Sequence, residues 1–299
     1  MKILLLGKNG QVGWELQRSL APLGDVLAVD RYSDQFCGDL GDPAGLAETV
    51  RKWRPQVIVN AAAYTAVDRA ESEPEMARQI NAVGPAALAQ AASQIGAWVV
   101  QYSTDYVFDG SGTSFWREDD PTSPLSTYGQ TKLEGEQAVA KSCPQHLIFR
   151  TSWVYAARGD NFAKTMLRLA QERQDLSVIN DQIGAPTGAE LIADVTAHAV
   201  RQVTRQPDAQ SLAGIYHLAA SGETSWHGYA SHLLETARQM RPNMQWKASE
   251  IAPVASSAFP RPARRPLNSR LNTEKLRATF GLSLPHWKQG VNRLLAEIL

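Results

Sequence analysis

Short apolar runs alternate with longer amphipathic stretches through the first half of the chain. Lys2–Leu6, Asp25–Asp30, Val57–Asn60, Trp98–Ser103 and Leu147–Arg150 are brief and mostly apolar, as the strands of a covered sheet are. Between them, Gln11–Leu23, Ala44–Trp53, Glu75–Ile95 and Thr127–Lys141 are helical and long enough to cross from one parallel strand to the next. That order predicts βαβ units and an α/β fold with a doubly wound parallel sheet. Beyond residue 151 the alternation fades, and helices at Asn161–Glu172 and Glu190–Gln202 are separated by turn-rich segments. The expected division is a sheet domain over 1–150 and a smaller C-terminal region over 151–299, some segments of which return to the main sheet. The proline- and arginine-rich stretch Ala252–Leu271 has no helical period and reads as a loop laid across a surface or a ligand.

Composition narrows the functions open to such a fold. With 299 residues, 43% of them hydrophobic, the chain can bury a substantial core. Lys plus Arg equals Asp plus Glu at 30 each, so no global field gathers nucleic acid or a membrane surface, and neither is expected as a partner. The first apolar run stops at Gly7, well short of a membrane span of about 20 residues. Two cysteines, Cys37 and Cys143, make no disulfide framework, so a cytoplasmic, reducing setting is expected.

The first predicted strand runs into Gly7-Lys8-Asn9-Gly10-Gln11-Val12-Gly13, a glycine at every third position where strand passes to helix. Glycines there permit a tight turn, let Gln11 and Val12 amides approach a pyrophosphate, and allow close packing of helix on strand. Asp30, at the end of the second strand, is placed to accept hydrogen bonds from an adenosine ribose. Together these signals predict a Rossmann-like dinucleotide site. Arg31 could pair with a ribose phosphate, so both NADPH and NADH are expected as cofactors. Asp39 and Leu40 are candidates to flank the adenine, and Ala62, Ala63, Tyr64 and Thr65 follow the third strand at the edge where such sheets bind ligands.

Tyr128 and Lys132 are four apart at the start of a predicted helix, so phenol and ammonium share one face. A neighbouring cation favours the phenolate, so Lys132 is expected to draw the Tyr128 pKa toward working pH and to hold the nicotinamide ribose as well. Tyr128 then serves as the general acid that protonates an alkoxide formed by hydride transfer. Thr104, at the end of the fourth strand, is expected to hydrogen-bond the same oxygen.

These three marks, in this order, resemble the extended short-chain dehydrogenase/reductase family. Ser103-Thr104-Asp105-Tyr106-Val107-Phe108-Asp109-Gly110, Tyr128-Gly129-Gln130-Thr131-Lys132, Arg150-Thr151-Ser152-Trp153-Val154-Tyr155 and Asp181-Gln182-Ile183-Gly184-Ala185-Pro186-Thr187 extend the likeness into the second half. They are similar to the branch that reduces a dTDP-linked 4-keto-6-deoxy sugar. The resemblance implies a dTDP-sugar substrate reduced at C4, with Thr104 and Asp105 touching the sugar, Trp153 packing near it and Tyr128 as the acid. A tryptophan just after a strand is also a common core residue, so both roles stay open for Trp153. Related dehydratases carry an Asp-Glu pair after the threonine, whereas Asp105 is followed by Tyr106. An epimerase and a non-catalytic cofactor-binding regulatory subunit remain the alternatives.

Arg261, Arg264, Arg265 and Arg270 lie in the proline-rich loop, and Arg264 and Arg265 are the candidates to clamp the substrate diphosphate. Glu190 and Asp194 share a helix face where Mg2+ could bridge them in a structural role, the other reading being a solvated face. The histidines show no metal-ligand spacing, and His227 and His232 are expected to have no catalytic duty. A symmetric homodimer is the default expectation for assembly.

Overall fold

The computed structural model describes residues 1–299. In the first half β1 (Lys2–Leu6), α1 (Gln11–Leu20), β2 (Asp25–Val29), α2 (Pro43–Trp53), β3 (Val57–Asn60), α3 (Val67–Ala70), α4 (Pro74–Arg78), α5 (Gly84–Ile95), β4 (Trp98–Thr104), α6 (Thr127–Ser142) and β5 (His146–Thr151) follow one another. The second half adds β6 (Val154–Tyr155), α7 (Phe162–Glu172), β7 (Asp175–Ile179), β8 (Ile183–Gly184), β9 (Thr187–Gly188), α8 (Ala189–Val203), β10 (Gly214–His217), β11 (Thr224–Ser225), α9 (Trp226–Met240), β12 (Glu250–Val254), α10 (Glu274–Phe280) and α11 (Trp287–Ile298).

Six strands form one parallel sheet in the order β2-β1-β3-β4-β5-β10. The doubly wound sheet is thus present, and β10 is a segment of the second half that returns to it. One face packs its side chains on α1, α8 and α10, with Leu5, Val59, Val100 and Phe149 meeting Leu16, Ile192 and Leu276. The other face, carrying Leu4, Ile58, Val99 and Ile148, is covered by α2, α5 and α6. Both faces are dry, which is why the strands read as continuous apolar runs. A separate core gathers α7, α9, α11 and β7 around Tyr229, Leu233 and Trp287.

Two sequence-based expectations change. The helix predicted over Glu75–Ile95 is broken by a π-helical turn at Gln79–Val83. Pro85 has no N–H to offer the Asn81 carbonyl, so the regular ladder cannot run through; Gly135 of α6 packs against that carbonyl, where a Cβ would lie 2.1 Å away. The stretch Ala252–Leu271 is not loop throughout, because Glu250–Val254 pairs in parallel with β7 as an edge strand, where Pro253 is tolerated. No helix is long and apolar enough to cross a membrane.

Glycine contacts set the spacing at the sheet edge. Gly7 has a φ of +85°, and a Cβ on it would sit 2.7 Å from the Ala62 amide. A Cβ on Gly13 would sit 2.0 Å from the Gly7 carbonyl oxygen, so the first turn of α1 rests directly on the end of β1. Across the sheet, Arg150 of β5 grips Glu136 of α6 through bonds of 2.9, 3.2 and 2.7 Å, with side chains only 3% and 1% exposed.

Two stability outcomes are expected. Gly13→Ala forces backbone apart and should lower unfolding free energy in urea by about 1–3 kcal/mol, as overpacking does. Glu136→Gln strands a buried guanidinium and should cost about 3–5 kcal/mol, whereas Glu136→Leu with Arg150→Met should recover most of that loss.

Candidate active site

The order of strands reverses between β1 and β3, and crevices for ligands open at the carboxyl ends of strands at such a point. The glycine loop after β1 and Ala61–Tyr64 after β3 lie there. Gly10 is the N-cap of α1 and places no side chain over the helix start, with the nearest atom to a Cβ on it 3.4 Å away. The first intrahelical bond, from the Trp14 amide to the Gly10 carbonyl, is 2.9 Å. The amides of Gln11, Val12 and Gly13 precede it and are without helical partners. Gly7 and Gly13 are therefore packing residues, and Gly10 leaves a helix N-terminus uncovered that suits a diphosphate.

Asp30 ends up beside this loop, tied down by the protein's own donors. Its carboxylate accepts from the Tyr32 amide at 3.0 Å, from the Ser33 hydroxyl at 3.1 Å and from Asn9, with Lys8 at 4.0 Å. Desolvation opposes ionisation, but the Tyr32 amide, Ser33, Lys8 and Asn9 outweigh it and hold the carboxyl below its ordinary value. Arg31 is exposed, its guanidinium 4.7 Å from the Tyr32 ring. Lys8 and Ser33, joined at 3.2 Å, are functional candidates that sequence reasoning missed, although Lys8 sits inside the glycine string.

The remaining candidates of this half divide. Leu40 is buried, its carbonyl against Gly84, and Asp39 accepts from the Gly41 amide at 2.9 Å, so both brace their own turn. Ala62 donates its amide to Asn60 at 3.2 Å. Ala63 is half-buried, Thr65 is exposed, and the Tyr64 hydroxyl bonds Glu73 at 2.6 Å. Asn81, another residue the sequence reading passed over, clasps Tyr64 by its amide at 2.8 Å and its carbonyl at 3.1 Å. Its position in the π-helical turn aims it there, and no periodicity in the sequence marks that turn.

Thr104, Tyr128 and Lys132 come together at the carboxyl end of β4. Ser126 caps α6 by accepting from the Gly129 amide at 3.2 Å. Gly129 lets the helix start press on the turn after β4, since a Cβ there would lie 2.2 Å from the Tyr106 carbonyl oxygen. This contact brings the Tyr128 ring edge-on to Tyr106, with centroids 5.5 Å apart. Burial and the Asp105 carboxylate raise the phenol well above its ordinary pKa, and a hydrogen bond with Thr104 acts against them. Lys132 is buried and donates to the Tyr102 carbonyl at 2.6 Å; burial lowers it to about 8, with Glu136 opposing.

The expectation that Lys132 lowers Tyr128 toward neutral pH is therefore corrected. The ammonium is engaged by the β4 backbone, and desolvation of the phenol dominates. A phenol that keeps its proton at neutral pH is still suited to act as an acid.

On the far side of Tyr128 lies Asp105, only 2% exposed. It accepts from Thr104 at 3.0 Å and from Ser269, which the sequence did not single out. Arg265 bonds the Tyr106 hydroxyl at 3.2 Å and Asp68 of α3 at 2.8 Å, so it braces this pocket wall, while Arg264 is exposed. Arg270 pairs with Glu223 at 2.6 Å. Trp153, at φ +50°, stacks on Trp226 with centroids 3.7 Å apart, and Gly184 makes room for its ring. It is half-buried in that stack.

The Mg2+ reading of Glu190 and Asp194 is not supported. Glu190 pairs with Arg293 at 3.2 Å, Asp194 pairs with Arg18 at 3.0 Å and with Ser19, and no group of three or more His, Cys, Asp or Glu side chains gathers anywhere. Arginines supply the countercharge that a cation would have provided.

Known proteins resemble the chain along its whole length. The family described as RmlD substrate binding domain matches residues 1–299. The dTDP-4-dehydrorhamnose reductase of Salmonella typhimurium is 61% identical over 298 residues, covering 100% of this chain and 98% of that protein. Its counterpart from Escherichia coli K12 is 59% identical with the same coverage. Among solved structures, a dTDP-4-dehydrorhamnose reductase from Clostridium acetobutylicum superposes with a TM-score of 0.89 at 35% identity, covering 100% of this chain and 99% of that one. One from Bacillus anthracis, determined in complex with NADP, gives 0.87 at 34% identity and covers 99% of each chain. Whole-length matches of this kind make the chain a member of the RmlD family of dTDP-4-dehydrorhamnose reductases.

Proposed function

We propose that this protein reduces the C4 keto group of dTDP-4-dehydro-L-rhamnose to give dTDP-L-rhamnose, with NADPH or NADH as cofactor. The observation that carries the reading is the meeting of Thr104, Tyr128 and Lys132 at one strand end, on the same edge of the sheet as the uncovered start of α1, in a chain of this family. The sheet region over 1–150 holds the cofactor and the region over 151–299 closes over the sugar nucleotide.

The residues fit such a cofactor. Gly10 leaves the Gln11 and Val12 amides open, and these would hold the diphosphate, Asp30 with Lys8, Ser33 and Arg31 would hold the adenosine ribose, and Lys132 would hold the nicotinamide ribose. When bound, the reduced nicotinamide supplies the hydride. Tyr128, which keeps its proton at neutral pH, gives its phenolic proton to the oxygen that becomes the C4 hydroxyl. Thr104 donates a hydrogen bond to that oxygen and stabilises its charge. Lys132 stands one helical turn from Tyr128 and holds positive charge near the phenolate left behind. Trp153 and Asp105 bound the sugar, and of the two guanidiniums in the loop without an ion-pair partner, Arg261 and Arg264, Arg264 is suited to the diphosphate.

Loss of reduced-cofactor absorbance, followed with enzymatically prepared dTDP-4-dehydro-L-rhamnose, tests this directly. Wild type should oxidise the cofactor, and Tyr128→Phe should lower kcat by roughly 10²–10⁴-fold while binding cofactor normally. Tight cofactor binding by wild type without oxidation would instead support a regulatory subunit. Arg31→Ala should lower kcat/KM with NADPH by roughly tenfold and leave NADH little changed, as expected for loss of one charged hydrogen bond to the ribose phosphate; equal losses with both cofactors would remove Arg31 from that role.

A further inference from the structure

Thr104 has one hydroxyl proton, and in this structure that proton points at Asp105. The hydroxyl donates to Asp105 Oδ1 at 3.0 Å and accepts from the Tyr106 amide at 3.2 Å. One lone pair remains, and the Tyr128 phenol is within its reach. In this arrangement Thr104 presents only acceptor capacity to the site, and it competes for the very proton that Tyr128 is to deliver. An oxygen gaining negative charge would meet a lone pair where a donor is required.

We propose that Asp105 is a positioning residue whose protonation reverses the Thr104 hydroxyl, turning it from an acceptor into a donor toward the substrate oxygen. A protonated Asp105 donates to Thr104, whose lone pairs are then filled by the carboxyl and the Tyr106 amide. The Thr104 proton is freed for the C4 oxygen, and Tyr128 is released to point its own proton there. This rests on the reduction proposed above and adds to it the device that aims both donors.

The surroundings of Asp105 allow the change near physiological pH. Burial raises its carboxyl to about 6, against the opposing hydrogen bonds of Ser269 and Thr104. Tyr128 of α6 faces it and stays neutral, and Tyr106 follows it in its own turn. Arg265, from the proline-rich loop, and Asp68, from α3, reach the same wall through Tyr106 and are paired with one another. Ser269 is thus the neighbour that sets the balance, because its hydroxyl stabilises the ionised form.

The sign follows. The donor arrangement requires protonated Asp105, so kcat/KM for the sugar should fall as pH rises through about 6. Ser269→Ala removes a bond to the carboxylate, raises the pKa and should move that limb to higher pH. Asp105→Asn carries a permanent donor toward Thr104, so its profile, whatever its height, should lose the limb. Carbon NMR of the Asp105 carboxyl, assigned by its absence in Asp105→Asn, reads the same titration without substrate or turnover, and thermal melts confirm that each variant is folded. An Asp105 that titrates at the ordinary aspartate value, or that does not move upward in Ser269→Ala, overturns the inference even if the protein reduces a different sugar. So does a limb that persists unchanged in Asp105→Asn. Failure of wild type to reduce the dTDP-sugar, with the NMR shift as stated, would count against the proposed substrate and leave the Asp105–Ser269 balance standing.

Discussion

Gly13 stands so close to the Gly7 carbonyl that no side chain fits between them, and Gly7 stands as close to the backbone of Ala61 and Ala62. These contacts lock α1, β1 and β3 together at the one place where the sheet reverses its winding. Everything that handles a dinucleotide depends on that spacing. With it, the amides of the first turn of α1 face the crevice; a Cβ on Gly13 would lift the helix off the end of β1, and one on Gly7 would push that strand end away from the chain leaving β3. Gly129 repeats the device at the other half of the site, pressing α6 onto the turn after β4 so that Tyr128 reaches Thr104.

Desolvation then sets the chemistry of the groups so assembled. Tyr128 is raised and Lys132 lowered for the same reason, since burial disfavours phenolate and ammonium alike. Asp105 is raised too, but hydrogen bonds from two hydroxyls keep it within reach of physiological pH. The Arg150–Glu136 pair lies behind this row of groups and joins β5 to α6, the helix that carries Tyr128 and Lys132. Such a pair contributes little net stability against an apolar substitute of the same shape, but it fixes how the helix sits on the sheet.

The second half of the chain works by reaching across. The loop that follows β12 sends Arg265 to Asp68 and Tyr106, and Ser269 to Asp105, so residues more than 150 positions apart in sequence share one wall of the site. Trp153 and Trp226 stack against the core of the second half, with Gly184 leaving room for the ring. One side of the site is thereby built from loops, and the other from strand ends and a helix start.

Local patterning was enough for part of this. Apolar runs broken by amphipathic stretches specify a covered parallel sheet, because both faces must be dry, and the glycine spacing and the Tyr128–Lys132 interval are geometric statements about a turn and a helix that hold wherever they occur. Fold class, the strand ends and the convergence of Thr104, Tyr128 and Lys132 were legible for that reason. What the sequence left undecided were the partners of each charge. It could not show that Lys132 bonds the Tyr102 carbonyl and leaves the phenol to its desolvation, that Glu190 and Asp194 are answered by Arg293 and Arg18, or that Ser269 lies on Asp105. Those pairings join positions far apart in the chain, and the sign and size of a charge interaction depend on distance and on exclusion of water, which only the folded arrangement fixes.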